Sequence, residues 1–228
     1  VRMVLGIATR CWEGWAGCVA GWQRAAWLGN LPYDVVFHRN VLDAYQDILE
    51  RAGEEIIGYV HDDLKVFEYG WDTRVLREFS DPSIGMVGFG GALRHGSPNL
   101  YVEPYQLAQL GRFGFRSNMR NAEEHGERFA GECDVAVLDG FAMFVRRSIL
   151  EKAGGWPLST AINYFAYDYW LSCEVRRQGY RIRLVGVDCD HISGKTASMV
   201  QLKDDHAAAH LWLYKHSRDV LPYSVEEK

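Results

Sequence analysis

A chain of 228 residues with 48% hydrophobic side chains has material for a full core, which excludes global disorder and allows one large α/β domain or two small ones. A formal net charge of −5, with Lys and Arg scattered rather than striped, excludes a general nucleic-acid binder. Five cysteines (Cys11, Cys18, Cys133, Cys173 and Cys189) are odd in number and lack C-x-x-C spacing, which fits buried thiols in a reducing, cytoplasmic setting better than a disulfide framework or a zinc site.

In chain order, Met3 to Ala8 reads as a buried strand, with Thr9-Arg10 opening the loop behind it. Gly14 to Leu28 is expected to be a helix closed by Gly29-Asn30 and Pro32. No apolar run approaches membrane-spanning length, and Gln23 and Arg24 interrupt this one. It therefore reads as a buried helix, with peripheral membrane contact through its tryptophans as the lesser alternative. Val35 to His38 is a short strand, and Asn40 can cap a helix from Val41 to Ala52. Ile56 to Val60 is a strand that switches abruptly to His61-Asp62-Asp63. A helix over Trp71–Phe79 and a strand over Ile84–Gly88 follow. Strands alternating with helices predict a mostly parallel central sheet flanked by helices, in a Rossmann-type α/β fold.

The regularity breaks between Gly90 and Cys133, where no period is sustained; such a stretch is expected to be a mobile binding loop with short strands near Leu100–Val102 and Val135–Leu138. Order resumes with a strand over Phe141–Val145, helices over Arg147–Lys152 and Phe165–Gln178, a strand over Tyr180–Val187, and a last helix over Asp204–Ser217. No repeat or linker divides the chain, so it is expected to be one domain: a first half over 1–90, the irregular region over 91–133, and a second half over 134–220.

Acidic and histidine residues gather at element ends: His61-Asp62-Asp63, Asp168, and Asp188-Cys189-Asp190-His191. Beyond the carboxyl ends of parallel strands lies the usual ligand crevice. Adjacent carboxylates there repel unless a cation or hydrogen-bond donors compensate them. Hard divalent ions take oxygen ligands and bridge to phosphates. The plain alternatives are a surface turn for 61–63, a helix-dipole acid for Asp168 and a turn residue for Asp139. His206 and His210, four apart on the last helix, have chelating spacing but no third ligand, and are expected to face solvent. Arg146-Arg147 and Arg176-Arg177 read as solvated helix positions.

Taken with the segment from Leu138-Asp139-Gly140 to Gly154-Gly155-Trp156, then Tyr167-Asp168-Tyr169-Trp170-Leu171, Arg176 and Gly179-Tyr180-Arg181-Ile182, the chain resembles the family 2 glycosyltransferases, nucleotide-sugar enzymes of the GT-A fold. It departs from the family's pattern after the second strand, where His38-Arg39-Asn40 replaces an Asp-rich turn, and at His61, which holds the first of two usual carboxylate positions. The resemblance implies a metal-dependent, inverting transfer from a nucleoside diphosphate sugar, UDP-linked in preference to GDP- or TDP-linked, to an acceptor hydroxyl on a glycan, lipid, protein or small metabolite. It implies Asp63 and His191 as ligands of Mn²⁺ or Mg²⁺, and Asp168 as catalytic base. Thr9, Arg10, Asn40, Asp62 and Asp139 would face donor or acceptor. By its position in the irregular loop, and not by the resemblance, Arg94 or another basic residue there is placed to close over the diphosphate. Strand alternation aims residues 61 and 63 one way and 62 the other. A sugar-phosphate nucleotidyltransferase and a non-catalytic sugar- or nucleotide-binding module are the rival readings, and a homodimer is left open.

Overall fold

The computed structural model describes residues 2–9, 12–28, 31–37, 40–96, 114–120, 126–162, 165–191 and 203–225, with backbone alone at 12–17 and 203–207. In chain order the elements are β1 (Met3–Thr9), α1 (Trp12–Ala25), β2 (Tyr33–Phe37), α2 (Val41–Arg51), β3 (Ile56–His61), β4 (Leu64–Val66), α3 (Trp71–Glu78) and β5 (Ile84–Gly88). Next come β6 (Gly90–Ala92), β7 (Arg94–His95), β8 (Phe115–Ser117), β9 (Glu127–Arg128), β10 (Glu132–Val135), β11 (Val137–Leu138) and β12 (Ala142–Arg146). The chain continues through α4 (Arg147–Ala153), α5 (Tyr167–Arg177), β13 (Arg181–Val185), β14 (Cys189–His191), α6 (Lys203–His216) and β15 (Tyr223–Ser224).

The central sheet has seven strands in the order β10-β13-β5-β12-β3-β1-β2. β2, β1, β3, β5 and β13 share one direction, while β12 and β10 run against them. Helices cover both faces, which explains why β1, β3 and β5 are near-continuous apolar runs rather than alternating ones. On one face Val4, Ile57, Tyr59, Met86 and Val145 pack with Leu42, Tyr45 and Ile48 of α2, Ile149 and Leu150 of α4, and Leu171 and Val175 of α5. On the other, Leu5, Ile7, Ile56, Val60 and Val87 pack with Cys18, Val19 and Trp22 of α1 and Trp71 and Val75 of α3.

Local chemistry sets the boundaries. The Asn40 side chain accepts from Leu42 N at 3.0 Å and starts α2. Gly154, at φ 83°, ends α4 in the left-handed conformation that glycine adopts without a Cβ clash. Arg146 and Arg176 are not solvated as expected. The Arg146 guanidinium donates to the carbonyls of Phe79, Asp81 and Ile84, tying the end of α3 to β5. Arg176 lies 2.9 Å from His95 Nδ1 and stacks over Tyr223.

Among the described residues, the region expected to be irregular carries short strands. β6, β8, β9 and β11 form a four-stranded sheet in the order β11-β6-β8-β9, β7 pairs with β15, and the strand expected near 135–138 is present as β10 and β11. Leu100–Val102 lies outside the described residues. β4 and β14 form a separate pair that matches Leu64 with His191 and Val66 with Cys189. That pair carries the last piece of the site back to the end of β3.

Candidate active site

His61 closes β3 on the face of Ile57 and Tyr59, as the two-residue alternation of a strand requires. Its Nδ1 lies 3.2 Å from His191 Nε2, and the same His191 nitrogen lies 3.2 Å from Asp63 Oδ1. Two imidazoles and one carboxylate thus offer ligand atoms within 4.8 Å of one another, a grouping that could hold a metal ion. The ring of His191 is fixed from behind by stacking on Phe141, with centroids 4.9 Å apart and planes at 20°.

Electrostatics suit a cation there. Burial, followed by the neighbouring His191, pushes the His61 imidazole down to about 4, so it is neutral at physiological pH. A neutral imidazole has one N–H and one lone pair. His61 Nε2 is 2.8 Å from the Tyr167 hydroxyl. With the proton on Nε2 donated to that oxygen, the Nδ1 lone pair faces His191 and Asp63. A partner on the far nitrogen is the usual device for fixing a ligating histidine. Burial raises the Asp63 carboxyl, but its contact with His191 and the two imidazoles outweigh this and hold it below its ordinary value.

The expected pairing of Asp63 with His191 is therefore present as geometry, and His61 joins them. Sequence reasoning aimed residues 61 and 63 to the same side by strand alternation and assigned only Asp63; β3 in fact ends at His61, and the two side chains converge through the turn at 62 and 63. Asp62 turns to β1, where the buried Thr9 hydroxyl donates to its Oδ2 at 2.6 Å.

A second group adjoins through Tyr167. Asp168, in the first turn of α5, accepts from Gly140 N at 3.0 Å and Tyr169 N at 2.9 Å. Burial, then the nearby Asp139, raises its carboxyl to about 8, although the two backbone N–H groups pull the other way. Asp139 is itself turned by accepting from Phe141 N at 3.2 Å. Asp139, Gly140, Phe165, Ala166, Tyr167, Asp168, Tyr169 and His210 line a cavity of about 110 Å³. Ala166, which precedes α5, has φ 62°, a left-handed conformation that non-glycine residues adopt at some strain. Gly140 must be glycine, because a Cβ there would collide with the Tyr167 hydroxyl.

His210 is a correction to the sequence reading. It is 1% exposed and faces Tyr169 with ring centroids 5.5 Å apart, rather than facing solvent. The side chain of His206 lies outside the described residues, as do Arg10, His38, Arg39 and Tyr164. Asn40 is occupied as the cap of α2, and Arg94 sits exposed in β7 opposite Ser224. Tyr167, Tyr169 and Trp170 are largely core, though the first two also line the cavity.

Comparison with known proteins bears on the family and the fold. No curated protein matches. Among solved structures, A197 from STIV is 12% identical with a TM-score of 0.52, over 85% of this chain and 87% of that one. The mannosyltransferase PcManGT from Pyrobaculum calidifontis, solved with GDP-Man and Mn²⁺, is 14% identical with a TM-score of 0.55, over 96% of this chain and 73% of its own. GalNAc-T7, solved with UDP, GalNAc and Mn²⁺, is 10% identical with a TM-score of 0.63, over 94% of this chain but only 48% of its own. Likeness at this distance shows the fold, which is that of the GT-A glycosyltransferases. The model of the glycosyltransferase-like family matches residues 34–215, most of the chain, and the chain belongs to that family.

Proposed function

We propose that this protein is a cation-dependent, inverting glycosyltransferase that moves a sugar from a nucleoside diphosphate donor, UDP-linked in preference, to an acceptor hydroxyl. The observation that carries the reading is the junction at Tyr167: its hydroxyl meets His61 of the His61, Asp63, His191 cluster, and the next residue in the chain is Asp168. Leaving-group stabilisation and proton removal, the two demands of glycosyl transfer, thereby fall side by side.

His61, Asp63 and His191 would hold the cation. A divalent ion bound there supplies positive charge against the diphosphate as it leaves. Two imidazole donors favour Mn²⁺ over Mg²⁺, which prefers oxygen ligands. Tyr167 fixes the His61 tautomer and Phe141 fixes the His191 plane. Asp62, held by Thr9, faces the ribose or donor sugar. Asp168 takes the proton of the acceptor hydroxyl as the acceptor oxygen bonds to the anomeric carbon. The bond from that carbon to phosphate breaks with its electrons going to the diphosphate, which inverts the centre. Asp139 and His210 complete the acceptor wall. The protein is taken to work as one domain in the cytoplasm.

Calorimetry with UDP, with and without Mn²⁺, tests this. Binding that requires Mn²⁺ and weakens at least tenfold in Asp63→Ala is expected. Negligible or metal-indifferent nucleotide binding would overturn the reading.

A further inference from the structure

Away from the metal cluster, hydrogen-bond donors gather with nothing to accept from them. The ring of His95 lies 5.3 Å from that of Tyr169, which in turn faces His210. Arg176 Nη2 is 2.9 Å from His95 Nδ1. A guanidinium only donates, so Nδ1 accepts and the imidazole proton sits on Nε2. That Nε2, together with Nε and Nη1 of Arg176 and Oγ of Ser217, is buried without a hydrogen-bond partner. Cys173 lies in their midst: its Sγ is 4.0 Å from His95 Nδ1, and burial raises its thiol while Ser217 and Arg176 beside it pull the other way. The thiol therefore stays protonated and neutral.

The charge is not balanced either. Among the described residues no carboxylate pairs with Arg176; Glu174 and Asp219 both pair with its neighbour Arg177. Burial lowers the pKa of the Arg176 guanidinium, and only the Cys173 thiol and the Tyr223 phenol act against it. Burial, then Arg176 and His210, hold the His95 imidazole well below its ordinary value. Among the described residues no acid acts on either group, Asp139 and Asp168 included. Arg176 lies 4.4 Å over the Tyr223 ring, a contact weaker than the cost of keeping an unpaired charge out of water. Donors and a charge left unanswered at the expense of stability point to a ligand.

We propose that Arg176, held by His95, receives the carboxylate group of a small-molecule ligand that enters beside Tyr223. Guanidinium and carboxylate form strong charge-assisted hydrogen bonds. One unpaired positive charge matches a monoanion, whereas a phosphate dianion would leave a buried negative charge in its place. A water molecule would answer the donors but not the charge. The way in is short: Tyr223 is 43% exposed and belongs to β15, a strand of two residues paired only with β7. Tyr169 and His210 also line the cavity that holds Asp168, so the carboxylate site adjoins it. The proposal does not depend on the transferase reading.

The test is thermal unfolding of the full chain in chloride buffer with added acetate, glucuronate, glucose or glucose 6-phosphate. A saturable rise of the midpoint with a carboxylate, and none with glucose, is expected. A rise with glucuronate alone places the group on a sugar, and a rise with acetate shows that a free carboxylate suffices. Arg176→Met should weaken that response about tenfold or more. Without ligand the same variant should melt at or above the wild-type midpoint, because it removes an unpaired buried charge. Arg176→Lys keeps the charge but loses the planar donors, and should fold and respond about tenfold more weakly. No response to either carboxylate, a stronger response to glucose 6-phosphate, an undiminished response in Arg176→Met, or a lower ligand-free midpoint in that variant would each overturn the proposal.

Discussion

Asp168 gives the most direct test of the chemistry, because its environment sets a number. A carboxyl raised to about 8 by burial and by Asp139 is about one-tenth ionised at pH 7 and about nine-tenths ionised at pH 9. If the ionised form removes the acceptor proton, kcat should climb about tenfold across that interval. Asp139→Asn removes the like charge and leaves the burial, so the rising limb should move to lower pH by roughly one unit. Asp168→Asn should lower kcat about 10²- to 10⁴-fold while sparing Mn²⁺-dependent donor binding. The amide keeps an oxygen for one of the two backbone N–H groups but turns an NH2 toward the other, an expected cost of about 1–3 kcal/mol. The assay is the initial rate of nucleotide release, using the nucleotide sugar that most raises the thermal midpoint. Stability offers an independent check. The folded state holds this proton up to about pH 8, whereas the unfolded chain releases it near 3.8. The fold therefore binds more protons between those values, and stability falls as pH rises through the window, a slope that Asp168→Asn should remove. A rate flat between pH 7 and 9, or an Asp139→Asn profile that coincides with wild type, would refute the assignment of Asp168 as base.

Three further outcomes follow from the same geometry. Tyr167→Phe removes the hydroxyl that fixes His61, and should weaken Mn²⁺ affinity about 10- to 100-fold in calorimetry with little change in thermal midpoint; unchanged affinity would detach Tyr167 from the cluster. Gly140→Ala should lower the thermal midpoint and Mn²⁺ affinity together, because the added methyl meets the Tyr167 hydroxyl; a loss of stability alone would separate the two. His210→Ala should raise the acceptor KM several-fold and leave the UDP Kd in Mn²⁺ unchanged, with partial rescue by His210→Gln; equal damage to both constants would make His210 a packing residue.

The parts of this protein legible in its sequence are those where a period or an abrupt change of chemistry marks the chain. Ile56 to Val60 announced a strand, and the acids behind it announced the crevice. Asp63 and His191 were expected to meet across 128 residues, and they lie 3.2 Å apart. What stayed hidden lacked such a mark. β6, β7, β8, β9 and β11 are two or three residues long, too short for alternation to be read. The helix that carries His210 is rich in alanine, so its apolar pattern does not say which side turns inward. Arg146 and Arg176 looked like solvated charges because their partners, carbonyls and a histidine, come from distant segments. Trp27 had the composition of a core residue and stands outside, held there by Asp72, a contact that no spacing predicts.

The order of strands in the central sheet constrains how this chain can be built. β5 has no hydrogen-bonded neighbour among the strands made before it: it waits for residues 142–146 on one side and 181–185 on the other. A nascent chain that has emerged only through residue 90 can assemble β2, β1 and β3 but must leave β5 adrift. Cutting the gene at that point should accordingly give no autonomous nucleotide-binding fragment, however much residues 1–90 look like half of a protein. Stability in this architecture arrives late in synthesis, with the insertion of a single reversed strand into the gap.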